Sequence, residues 1–387
     1  MGGPEMAPHT PQRSALPGGA GALRDTPIGS QTSTSLRRMR KNSQAARKGP
    51  GLLDDILRQV SRSFYISLRI LPRELREPIG LAYLLARGAD TVADTRLIPR
   101  AERLGHLETL RGAYAGAPVD VGALARGCAV HQPHEGERRL LERVDETLAR
   151  LQALPDGDRA AVRSVLATLT SGMMFDLARF PGEDAAHLAA LDTLEELDHY
   201  TYLVAGCVGP FWTALHVAHR PRLAGWDLER MSAQGIRFGK ALQMTNVLRD
   251  VPGDLRGGRC YLPAREMAPL DLRPTDLLDP RLTPRARPLI RRLVAHTLER
   301  YDVAWRYTLA IPRAEWRMRL ACAWPLLIGL GTLALLTRHP DPFAATTPIK
   351  VPRAALRTML ARSLVAVWSN AALRREGARL RSAVTLG

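Results

Sequence analysis

Two pairs of aspartates four residues apart, Asp90/Asp94 in ARGADTVAD and Asp250/Asp254 in QMTNVLRDVPGD, carry the clearest chemistry in this sequence. On a helix, residues at i and i+4 are neighbours, about 5–6 Å apart at Cβ, so each pair sets two carboxylates on one face. At about 6 Å in a medium of effective dielectric ~20 they repel by roughly 3 kcal/mol. A divalent cation removes that repulsion, and Mg²⁺ in particular prefers oxygen ligands, keeps waters and completes its shell with substrate phosphates. Solvated helix faces also carry such pairs, and either pair alone reads more simply that way. Two of them, in apolar helical surroundings with an arginine within one turn, point instead to metal–diphosphate chemistry.

The neighbours divide between structural and chemical readings. Arg87 lies three residues before Asp90, as an intrahelical salt bridge or as a phosphate clamp whose fork matches phosphate oxygens. Gln243, Asn246, Asp250 and Asp254 recur at steps of three, four and four among the apolar Leu242, Val247, Leu248 and Val251. That stripe is either a surface face or the lining of a wet, metal-filled cavity, and the second reading is favoured. GRCYLP follows, bringing Arg259 and Tyr261 to the same mouth. In DHYTYLVAGCVG, Ala205, Gly206 and Gly209 permit close helix packing or backbone approach to a ligand, while a lone tyrosine such as Tyr200 is ordinarily core.

These residues need helices to position them. The chain has 387 residues, is rich in Ala, Leu and Arg, has few aromatics and lacks alternating strand runs, so an all-α fold is expected. Helical patterns begin with Leu52, Leu53, Ile56, Leu57 and Val60. Pro78 suits the first turn of the helix that reaches the first acidic pair. Further patterns cover about 100–114, 136–154, 157–179, 190–219, 228–250, 289–310, 313–337 and 349–383, a single bundle of about ten helices around a central cavity. Pro252 removes the hydrogen bond to the Leu248 carbonyl and disfavours helix at Val251, so a kink is expected between Asp250 and Asp254.

Residues 1–50 have no apolar periodicity and carry eight basic residues against Glu5 and Asp25; they read as a disordered basic tail, with the catalytic domain over 51–387. The net charge of +17 favours anionic partners, although an excess of Arg over only four lysines (Lys41, Lys48, Lys240, Lys350) also fits a GC-rich genome. Cys128, Cys207, Cys260 and Cys322 have no metal-type spacing and read as packing residues in a reduced cytosol. No signal-peptide layout is read at the N-terminus, and the uncharged stretch Leu320–Leu336 reads as a buried core helix in preference to a membrane span.

Taken in order, SRSFYISLRILP, LLARGADTVAD, DHYTYLVAGCVG and ALQMTNVLRDVPGDLRGGRCYLP resemble the squalene/phytoene synthase family, head-to-head prenyl transferases of the isoprenoid synthase fold. The resemblance covers about 51–340. It implies Mg²⁺ on Asp90, Asp94, Asp250 and Asp254 with Asn246 beside the second pair, and diphosphate on Arg87, Arg259, Tyr261, Ser61 and Ser63. Tyr200 would stand next to the reacting carbons, Gln243 would line the cavity, and Asp176 sits where the family often carries an acid. Thr91 leaves the first motif with two carboxylates rather than three. The implied reaction joins two farnesyl diphosphates through a cyclopropylcarbinyl diphosphate, then gives squalene with NADPH. Proton loss to a phytoene or dehydrosqualene, or arrest at presqualene diphosphate, are the alternatives. DTVAD and the following GGR look like the squalene branch, YLP like the phytoene branch, and the squalene branch is favoured.

A different class also accounts for the charge: a basic helical protein that binds nucleic acid or a membrane surface without catalysis. It leaves the four aspartates unexplained, and no nucleic-acid partner is expected. The expected location is cytoplasmic, with peripheral membrane contact at the cytoplasmic face compatible with a hydrocarbon product.

Overall fold

The structure is a computed structural model that describes residues 55–61, 64–343, 345, 347 and 349–385. The expected basic tail over 1–50 and Ser63 lie outside the described residues.

As expected, the fold is all-α. Short helices α1 (Leu57–Ser61) and α2 (Phe64–Ile70) lead into α3 (Arg73–Asp94), the helix of the first acidic pair. There follow α4 (Arg100–Ala115), α5 (Gly122–Ala129), α6 (Glu135–Glu142), α7 (Val144–Gln152) and the long α8 (Asp156–Arg179). Next, α9 (Leu194–Thr201) runs through a π-helical turn, Tyr202–Gly206, into α10 (Val208–His219). The second acidic pair rides on α11 (Leu228–Arg256), and α12 (Ala264–Met267), α13 (Thr283–Ala310), α14 (Trp316–Arg338), α15 (Arg353–Ala366) and α16 (Asn370–Ser382) complete the body. Among the described residues one two-stranded parallel clip interrupts the helices, β1 (Ala189–Ala190) on β2 (Arg259–Cys260).

Several stretches that read as one helix are broken. The 136–154 pattern splits at Arg143, the 349–383 pattern splits at Val367–Ser369, and α5 is an addition. Pro78 lies in the second turn of α3, where the bond it forfeits is to a carbonyl near the helix start. Conversely, α13 begins inside the proline-rich stretch, because Pro284 occupies the first turn, where a missing N–H costs nothing.

One apolar cluster centres on α3 and α8, with Leu81, Leu84, Leu85, Val92, Val162 and Leu166 buried. A second centres on α11, α13 and α14, with Leu248, Leu255, Leu293, Leu326 and Leu330. The two acidic helices therefore belong to different clusters. They are brought near each other through α10, whose Gly209 lies so close to Gly235 of α11 that a Cβ would sit 2.1 Å from backbone. That settles the small-residue run after Tyr200 as helix packing at Gly209. The apolar stretch of α14 lies inside the protein, with Leu320, Leu326, Leu330 and Leu333 fully buried.

Candidate active site

The site is built where α3 ends. Arg87, Asp90 and Asp94 occupy one face of its last two turns, while Leu84, Leu85, Ala89 and Val92 bury the other. Opposite, α11 stays helical through Pro252 to Arg256, so Asp250 and Asp254 lie on one uninterrupted helix that carries the proline between them. Pro252 stands in the second-last turn, where one missing backbone bond is tolerated. Asp94 and Asp254 then line one cleft of about 340 Å³ together with Arg96, Gly253, Gly257 and Arg259.

Arg259 ties the two sides. Its guanidinium donates to Asp176 Oδ2 of α8 at 3.0 Å and reaches Asp94 Oδ1 of α3 at 3.4 Å. It is aimed there by the strand clip, in which Ala189 N donates to Gly258 O at 3.1 Å and Leu191 N to Cys260 O at 2.9 Å. The chain enters β2 through Gly258, with φ +81° and a Cβ position 2.9 Å from the backbone of Gly182 and Asp184. Only glycine meets both conditions without strain.

The electrostatics are those of crowded carboxylates. Burial, then the neighbouring Asp94, raises the Asp90 carboxyl to about 7 despite the pull of Arg87. Burial, then Asp250, raises Asp254 to about 7, with Asp176 and Asp94 adding from across the cleft. Asp176 also rises, through burial, against the opposing pull of Arg259 and Tyr261. In all three, burial is the largest cause, and for Asp90 and Asp254 the neighbouring carboxylate of the same pair adds to it. Among the described residues no ready group of three His, Cys, Asp or Glu donors surrounds one point. Asp94 and Asp254 put hard oxygens on the polar cleft, with Asp90 and Asp250 one turn earlier on the same two helices. That set fits Mg²⁺, which is held by one or two carboxylates and completed by phosphate and water.

Deeper in, Tyr200 is buried and stacks on Tyr261, ring centroids 4.7 Å apart at 22°, with Phe175 at 6.3 Å. The Tyr261 hydroxyl donates to Asp176 Oδ1. Burial drives both phenols well above their ordinary range, so both stay protonated. The preceding turn is pinned by Asp198, which accepts from Lys240 Nζ at 2.5 Å and from Arg300 at 2.6 Å. Beyond Asn246 lies an apolar cavity of about 300 Å³, walled by Leu242, Trp324, Pro325, Ile328 and Thr332.

The remaining predicted residues are placed as follows. Arg87 donates to Asp90 Oδ2 at 2.6 Å and to Glu137 of α6, the salt-bridge reading, while its buried Nε has no partner. Asp250 is held by the adjacent Arg249 through Nε at 2.8 Å. Asn246 Nδ2 donates to Gln243 Oε1 at 3.2 Å, so the polar stripe is continuous. Ser61 is not brought to the cleft: it is buried, and its hydroxyl donates to the Leu57 carbonyl of its own helix. Sequence reasoning missed Glu137 and Arg96, whose motifs carry no spacing signal. It understated Asp176, to which both Arg259 and Tyr261 point.

Comparison with known proteins agrees with this architecture. Squalene synthase of Schizosaccharomyces pombe is 26% identical over 297 residues, 76% of this chain and 61% of that protein. Phytoene synthase of Arthrospira platensis is 27% identical over 274 residues, 68% of this chain and 77% of that protein. The chain thus spans about three fifths of the length of the fungal squalene synthases it matches, 61% and 58%. A solved complex of TcSQS with a ligand superposes with a TM-score of 0.67 at 25% identity, covering 84% of this chain and 89% of that one. A solved dehydrosqualene synthase complex gives 0.58 at 19% identity, a likeness of fold, and covers 85% of this chain and 98% of that one. The squalene/phytoene synthase family model matches residues 57–356, most of the sequence and all the residues of the cleft, and the chain belongs to that family.

Proposed function

We propose that this protein is a Mg²⁺-dependent prenyltransferase joining two farnesyl diphosphates head to head, by way of a cyclopropylcarbinyl diphosphate, to squalene. The observation that carries the reading is the cleft in which Asp94 of one helix and Asp254 of another face the same space, with Arg259 in its lining and reaching Asp94.

Asp90, Asp94, Asp250 and Asp254, with Asn246 alongside, would hold Mg²⁺, which when bound neutralises the departing diphosphate. Arg259 adds a fixed cation aimed at the same charge, and it costs no reorganisation because Asp176 already orients it. Ionisation of one C–O bond leaves an allylic cation, which the double bond of the second substrate attacks. Closing the cyclopropane expels a proton. The Tyr200 ring offers a π-face to the cation. Its hydroxyl is too weak an acid to act as a standing base, but it takes the proton if it releases its own. Tyr261, stacked on it and donating to Asp176, gives that proton a path to a carboxylate made more basic by burial. The apolar cavity beyond Asn246 accommodates prenyl chain and keeps water from the cation.

NADPH would supply the hydride that separates squalene from the proton-loss products. The one strand pair among the described residues is too short to form a parallel-sheet cradle for it. The test is incubation with farnesyl diphosphate and Mg²⁺, with and without NADPH, followed by product analysis. Squalene formed only with NADPH is expected. A phytoene-type triene in both arms moves the protein to the other branch, and absence of pyrophosphate release removes the reading altogether.

A further inference from the structure

Eight large apolar side chains stand exposed among the described residues, and four of them, Ile66, Leu364, Val365 and Trp368, belong to one side of the molecule. Ile66 of α2 and Leu356 and Leu360 of α15 line the same cavity, and Leu364 continues that stripe one turn on. Val365 is 80% exposed and Trp368 53%, although the Trp368 ring rests on Trp316 at 5.8 Å. Isolated exposed residues mean little; a contiguous group does.

The same face is rimmed by guanidiniums that lack a counter-charge. Arg353, Arg357, Leu360 and Leu364 follow at steps of four, three and four, one stripe of α15. Arg69 and Arg317 flank it, each lying over an aromatic ring, Tyr65 at 5.9 Å and Trp316 at 5.2 Å. All four arginines are exposed, and among the described residues none meets a carboxylate. The three contributing helices α2, α14 and α15 contain no Asp or Glu. Elsewhere among the described residues some exposed arginines are paired, as Arg362 of the same helix is with Glu376, and others, such as Arg374 and Arg375, are not; what sets this face apart is the exposed apolar group that its arginines surround.

We propose that this face docks on an anionic lipid bilayer. Leu364, Val365 and Trp368 enter the headgroup boundary while Arg69, Arg317, Arg353 and Arg357 meet lipid phosphates. Exposed aliphatic and indole groups beside unpaired arginines are the composition that such an interface rewards. A second copy of the chain would set arginine against arginine, which disfavours self-association through this face. The proposal does not depend on the reaction assigned above.

The test is flotation of the full chain with phosphatidylcholine vesicles and with vesicles that also contain phosphatidylglycerol. Binding is expected only to the anionic vesicles. Arg353→Gln with Arg357→Gln should weaken it by roughly 25-fold, about fivefold per arginine. Leu364→Gln with Val365→Glu should weaken it by about tenfold or more. Both pairs of substitutions lie on exposed positions, so thermal unfolding should be unchanged. No capture by anionic vesicles overturns the proposal. So does capture of both variants as strong as that of the unsubstituted chain, which would place binding elsewhere, and so does a shift of either variant to a smaller species on size exclusion, which would make the occupant a second copy.

Discussion

The two acidic pairs have the same spacing in sequence and different surroundings in the fold. In the first, Asp90 holds Arg87, which is shared with Glu137, and the cleft-lining Asp94 is reached by Arg259 at 3.4 Å. In the second, the local cation Arg249 is spent on Asp250, the member further from the cleft lining, and Asp254 has no ion-pair partner among the described residues. Equal spacing therefore hides an inequality of charge balance. The first helix presents to the cleft a carboxylate, Asp94, that Arg259 already reaches, and the second presents Asp254, which lies beside the same arginine without an ion pair among the described residues.

The largest effects should follow that inequality. Asp254→Asn should lower pyrophosphate release from farnesyl diphosphate by roughly 10²–10³-fold, the scale of losing one preorganised electrostatic group. Asp250→Asn should cost about tenfold, near 1.4 kcal/mol, because its carboxylate is already half-committed to Arg249. Equal losses, measured across a Mg²⁺ titration, would break the comparison. Next in size is Arg259→Gln, which removes the cation that reaches both Asp94 and Asp176. It should lower turnover by about 10²-fold and destabilise the fold by ~2–3 kcal/mol, since Asp176 is left buried with Tyr261 alone. Loss of turnover with an unchanged urea midpoint would show that Arg259 serves the reaction without holding the cleft together.

Much of this was legible in the sequence, for identifiable reasons. The i,i+4 pairs, the stripe from Gln243 to Asp254 and the all-α class all follow from helical periodicity, which one segment expresses by itself. What was not legible depends on chain segments far apart. Arg259 meets Asp176 and Asp94 only because a two-residue parallel clip forms between positions seventy apart, too short to announce itself as strand. Glu137 reaches Arg87 across fifty residues with no motif around it. Ser61 fits a family pattern, yet its hydroxyl is turned onto its own helix. Pro252 is a different case: local propensity opposes helix there, yet the helix continues, with Val251 and Leu255 buried in the second core cluster and Pro252 itself buried.

A smaller effect concerns pH. Asp90 and Asp254 have folded-state values near 7 against 3.8 for a free carboxyl, so between those values the folded chain binds more protons than the unfolded one. Stability of the metal-free protein should therefore fall as pH rises through that window, and be highest near its acid end as far as these groups decide it. The Asp90 side chain is 40% exposed, so solvent screening cuts the full linkage to ~1 kcal/mol per group. In melting temperature that is about 1–2 °C per group for a body of this size between pH 5 and 8. Saturating Mg²⁺ should flatten the slope, and Asp254→Asn should halve it. A stability that rises with pH over this range would mean that the carboxylates are not crowded.

The smallest expected change tests whether the proline makes the second pair different. Pro252→Ala restores an amide donor to the Leu248 carbonyl, and a helix-interior proline costs about 3 kcal/mol. Two losses offset that gain. The unfolded chain becomes freer by ~1 kcal/mol, and a buried ring is trimmed to a methyl at a similar cost. The net should be a stabilisation of about 1 kcal/mol in urea unfolding. Turnover should not change, because α11 is already continuous across the site and Asp250 and Asp254 already share a face. A marked fall in turnover would show that Pro252 tunes how far Asp254 reaches into the cleft. The asymmetry between the two pairs would then be one of backbone geometry as well as of charge.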